Sequence, residues 1–135
     1  MNKHSHVLLH INGWVAALIG VFIVVEPVTM LSPYGLQPEL SNSLLSELRA
    51  PGGLLFFCGL AILYSAFTPN LRERGLYLSV MLYGSYATGR LLSILVDGMP
   101  QMEILAALTI ESMLCGLSFA AIRSQHNTPA LPAAF

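Results

Sequence analysis

Long apolar runs alternate with short polar breaks along this chain, and four runs stand out, over residues 7–25, 54–67, 76–96 and 102–122. The first, about 19 residues long, is enough to cross a bilayer as a helix. It follows a short polar lead and stops at Glu26-Pro27 with no small-x-small cleavage site, so it reads as a retained transmembrane helix and not as a signal peptide. The second run is short, and reaching back through residues 48–53 restores its length. Pro51 then falls in the first turn of the helix, where a missing amide proton costs nothing. Between these runs, residues 29–46 form a loop with Pro33, Tyr34, Gly35 and Pro38 as turn residues, and a short interfacial helix is expected over 39–45. Asp97-Gly98-Met99-Pro100 has the composition of a tight turn, which forces the fourth run antiparallel beside the third. The pattern predicts an all-α polytopic membrane protein, a four-transmembrane-helix antiparallel bundle with spans at about 7–25, 50–67, 76–96 and 102–122. One domain is expected over 1–123 and a mobile tail over 124–135, where Pro129 and Pro132 interrupt any period.

The third run is not uniformly apolar. On a helix, Ser79, Tyr83, Tyr86, Arg90, Ser93 and Asp97 fall within an arc of about 80°. A charged side chain near the bilayer centre costs about 2.5–3.5 kcal/mol on insertion scales, so this stripe should face protein or water and not lipid. On the fourth run Ala107, Glu111, Cys115 and Ser118 share a face, with Glu103 at its margin. Counted outward from the turn, Arg90 and Glu111 lie at similar depths, so the two are expected to meet inside the bundle. In the first run His10 and Asn12 are the interior polar residues, while Gly13, Ala17 and Gly20 form a small-residue stripe suited to close helix approach.

Composition agrees with a membrane setting. Of 135 residues, 55% are hydrophobic and 10% charged, against about 25% charged in soluble domains. A net charge of −1 with no basic tract beyond Arg72-Glu73-Arg74 gives no electrostatic reason to expect nucleic acid. Cys58 and Cys115, each isolated in an apolar run, read as small buried residues. His4, His6 and His10 lack a carboxylate or fixed fourth ligand, so no metal and no cofactor are implied. Lys3, Arg72, Arg74 and Arg123 all fall on one side of a four-span layout, opposite Glu26, Glu39, Glu47, Asp97 and Glu103, with Arg49 the one flanking cation there. The positive-inside rule then predicts cytoplasmic termini.

Glu47-Leu48-Arg49 ahead of Gly52-Gly53, then Gly89-Arg90-Leu91-Leu92-Ser93, Asp97-Gly98-x-Pro100 and an in-helix Glu111 carry a further signal. In order and spacing they resemble a bacterial family of small four-helix membrane proteins catalogued as domain of unknown function 4345. The resemblance covers nearly the whole chain except the tail. Ser46 stands where members often carry Asn before the Glu-x-Arg. The resemblance implies a bacterial cytoplasmic (inner) membrane and supplies no activity.

Three readings of the charged residues compete. In the first, Arg90 and Glu111 with Asp97, Glu47 and Arg49 form a buried ionic cluster that organises the bundle for an interaction or accessory role, with a second copy or another membrane protein as partner. In the second, Arg90 on a stripe with Tyr83 and Tyr86 holds the anionic head of a lipid, quinone-like or isoprenoid molecule. In the third, Glu111 or Asp97 moves a proton on a lipophilic substrate, as in an isomerase, while Arg90 stabilises negative charge. No His-Glu-x-x-His, phosphate-cradling glycine loop or nucleophile elbow accompanies the third reading.

Overall fold

The apolar runs become four long helices whose ends follow the local chemistry. The computed structural model describes residues 3–31 and 41–126. Helix α1 (Lys3–Val25) ends at Glu26 and is followed by a short α2 (Pro27–Leu31); α3 (Asn42–Phe67), α4 (Arg72–Asp97) and α5 (Met102–His126) complete the order. Residues 32–40 of the expected loop, which include 39–40 of the expected interfacial helix, and residues 127–135 lie outside the described residues; residues 42–45 of that expected helix are instead the start of α3. All described secondary structure is helical.

Several boundaries differ from expectation: α1 and α4 begin earlier than the expected spans, at Lys3 and Arg72, and α2 takes up the start of the expected loop. Pro51 sits inside α3, which begins earlier, at Asn42, behind Ser41, whose hydroxyl accepts from the Leu44 amide at 3.2 Å. The Ser41 cap starts the helix in polar sequence and it runs on through the proline, so Glu47 and Arg49 belong to a helix and not to a rim loop. Helix α5 likewise continues through Ser124–His126, absorbing the start of the expected tail. The turn after α4 is as expected, with Gly98 as the helix cap at φ +96°, a backbone conformation that favours glycine.

Consecutive long helices alternate in direction. Gly13 lies against Leu63 and Gly20 against Phe56, so α1 and α3 are antiparallel. Arg90 meets Glu111 while Glu73 meets His126, so α4 and α5 are antiparallel too. The start of α1, the end of α3, the start of α4 and the end of α5 therefore share one end of the bundle, called here the near end.

The tightest seam is between α1 and α3. A Cβ built on Gly20 would stand 2.3 Å from the Phe56 amide nitrogen, and one on Gly59 2.4 Å from that of Ala17. These distances admit only hydrogen, so Gly13, Ala17 and Gly20 form the close-packing stripe expected of them, against Gly52 and Gly59 of α3. Leu9, Ile62 and Leu76, all fully buried, form the core of the near half. Helices α3 and α5 do not approach each other closely; α1 and α4 lie between them.

Among the described residues, α1 from His4, α3 and α5 are long and apolar enough to cross a membrane. Helix α4 is not among them, because Ser79, Tyr83, Gly84, Ser85, Tyr86, Thr88 and Arg90 interrupt its apolar middle.

Candidate functional site

The polar stripe of α4 changes character along its length. Ser79 and Tyr83 are buried, Tyr86 and Arg90 are half-buried, and Ser93 and Asp97 are exposed. At its near end the stripe joins an uncharged network. Asn12, fully buried on α1, donates from Nδ2 to the Ser118 hydroxyl of α5 at 2.8 Å. Ser118 in turn donates to the Leu114 carbonyl at 2.7 Å. The Tyr83 hydroxyl donates to the Asn12 main-chain carbonyl. Three helices are thus tied at one level by groups that carry no charge. Because the Ser118 proton is committed to Leu114, its oxygen can only accept from Asn12, which fixes the amide orientation. The Asn12 Oδ1 then remains buried without a donor among the described residues.

One to two turns farther along, α1 and α5 are separated by a cavity of about 470 Å³. Its wall includes Ile19 and Phe22 of α1, Met30 of α2, Leu55 of α3 and Ile110 of α5, and its polar surface comes from Tyr83, Tyr86, Arg90 and Glu111. Arg90 and Glu111 meet as their depths require. The Arg90 Nε donates to both Glu111 oxygens, at 2.8 and 3.1 Å. The side chains are 27% and 14% exposed. The expected buried salt bridge is therefore formed but not buried, because the α1–α5 separation leaves one side of it open.

The larger ionic cluster does not assemble. Asp97 is exposed and accepts from Ser93 at 2.8 Å, one turn back on its own helix. Arg49 is exposed and donates from Nε to the Val24 carbonyl at 3.0 Å, satisfying a main-chain acceptor in the last turn of α1. Glu47 and Glu103 are exposed, and among the described residues neither forms an ion pair. These groups sit at helix ends in reach of water, where a distant partner offers less than hydration does.

At the near end, His6 and His10 approach through their Nε2 atoms at 3.3 Å, and His10 meets the Phe67 ring edge-on. Among the described residues no set of three His, Cys, Asp or Glu side chains converges there. Cys58 and Cys115 are half-buried free thiols, with Cys115 directed at the Val80 carbonyl at 3.7 Å.

The Asn12–Ser118 bond and the cavity are the features that reading along the chain did not assemble. Asn12 stood out only as a polar residue in an apolar run, and such a residue requires a partner somewhere in the bundle. The partner is 106 positions away, and no local spacing reveals it.

Comparison with curated proteins finds no match. Comparison with solved structures finds none either. A family model described as a domain of unknown function (DUF4345) matches residues 5–122, nearly all of the helical bundle, and the chain belongs to that family.

Proposed function

We propose that this small membrane protein binds a lipophilic molecule in the cavity between α1 and α5, with the Arg90–Glu111 pair and Tyr86 at the molecule's polar end. The observation that carries the reading is the pair's position on the wall of an apolar cavity of about 470 Å³. That volume lies within the range of about 300–1,000 Å³ usual for small-molecule pockets. A structural role has its own support, since the pair links α4 to α5 and, among the described residues, no other charged pair does so in the far half.

The setting we propose is a four-span arrangement with both termini on the cytoplasmic side of a bacterial inner membrane. Helix α4 is then the least apolar span, accompanied by α1, α3 and α5. What supports it is the clustering of Lys3, Arg72, Arg74 and Arg123 toward the near end, the side that the positive-inside rule assigns to the cytoplasm. Reporter fusions test this orientation: a periplasm-dependent enzyme fused after residue 99 should be active and one fused after 126 inactive. The reverse pattern would reject it.

The binding reading is tested by native mass spectrometry of protein extracted from its own membranes. Wild type should carry a lipophilic adduct, and Ile19→Trp, which places a larger side chain at the cavity wall, should lose it while remaining folded. An adduct indifferent to Ile19→Trp would place the bound molecule elsewhere.

A further inference from the structure

We infer that the polar end of the cavity selects an uncharged carbonyl-bearing lipophile, such as a long-chain quinone or ketone, over an anionic amphiphile. This rests on the binding reading above and adds the chemistry of the head group. Glu111 already matches the charge of Arg90, and it does so through Nε alone. Neither Nη nitrogen of Arg90 has an acceptor among the described residues, and the Tyr86 hydroxyl has no hydrogen-bond partner there either. Both side chains line the cavity. The groups left unused at the polar end are therefore N–H donors and one phenol, set on a wall whose net charge is zero.

That combination separates ligand classes. A carbonyl oxygen accepts from such donors and brings no charge into a low-dielectric space. An anionic head would accept from them equally well, but it would also stand close to the Glu111 carboxylate, whose charge is screened weakly by apolar walls. It would leave an uncompensated negative charge in the cavity. An aliphatic alcohol accepts from the same donors but must also place its own proton. Aromatic Tyr83, Tyr86 and Phe22 add flat apolar surface beside the donors, which suits a ring more than a bulky tetrahedral phosphate.

The experiment compares two probes on the full chain in lipid nanodiscs, a decyl-substituted benzoquinone and dodecyl phosphate, by titration calorimetry. The quinone should bind at least tenfold tighter. Glu111→Gln, which leaves the guanidinium charge unmatched, should narrow that preference by strengthening dodecyl phosphate at least tenfold. Tyr86→Phe alters no charge and should weaken the quinone several-fold. Equal or tighter binding of dodecyl phosphate to wild type would overturn the head-group inference and leave the cavity as a binding site. Binding of neither probe, together with absence of any co-purifying adduct, would overturn both. If Glu111→Gln does not fold, the wild-type probe ratio and the Tyr86→Phe change decide the question alone.

Discussion

Two polar sites tie the helices of this protein together, and they are built differently. The Asn12–Ser118–Tyr83 network is uncharged and sealed from solvent. The Arg90–Glu111 pair carries full charges, yet it is the partly open one and faces a cavity. Elementary electrostatics accounts for that placement, since desolvating a charge costs far more than desolvating an amide; the cavity beside the charged pair is the further difference between the two sites. The contrast separates a near half that holds the fold from a far half that leaves room for something else.

The sharpest way to break the bundle as a whole is through the α1–α3 seam, whose tightest contact, at Gly20, lies at the level of the cavity. Gly20→Leu should destabilise the bundle by about 3 kcal/mol or more, because even the first carbon overlaps the Phe56 backbone. Loss of a monodisperse peak on size exclusion in detergent would register it. Gly116→Leu is the control, since a Cβ there meets nothing within 4 Å; it should change stability by less than about 0.5 kcal/mol. Ser118→Ala comes next at about 2 kcal/mol, because it strands the buried Asn12 amide whose oxygen already lacks a donor.

Arg90→Ala should cost less, roughly 1–2 kcal/mol, since Glu111 loses its counterion but keeps some access to water. Apart from the Gly116 control, Tyr83→Phe is the smallest change, about 1 kcal/mol for one hydrogen bond to a carbonyl. Thermal unfolding in a fixed detergent ranks all of these. If Arg90→Ala proved costlier than Ser118→Ala, the charged pair would be the main fastener and the division into halves would fail.

How far the sequence could be read follows from which interactions are local. Helix ends marked by Glu26-Pro27 and Asp97-Gly98 are matters of neighbouring residues, and the structure ends α1 and α4 there. The Gly13–Ala17–Gly20 stripe and the matched depths of Arg90 and Glu111 follow from helix period and rise around one turn, and both appear in the structure. Pro51 inside α3 was misplaced because a cap nine residues upstream of Ala50, at Ser41, outweighed the proline as a start signal. Asp97, Glu47, Arg49 and Glu103 all lie toward the end of the bundle opposite the near end, but a shared end says nothing about azimuth or about the separation of α1 from α5. The cavity arises from that separation, which depends on how the glycines draw α1 toward α3. No single segment encodes it.

The claim that the near half builds and the far half binds is tested most directly by the double variant Arg90→Met/Glu111→Leu, assayed for thermal unfolding and for co-purifying adduct by native mass spectrometry in one preparation. The account predicts a midpoint within a few degrees of wild type, since exchanging an ion pair for apolar side chains is often neutral or stabilising, together with loss of the adduct. A folded double variant that keeps the adduct, or one that fails to fold at all, would contradict it.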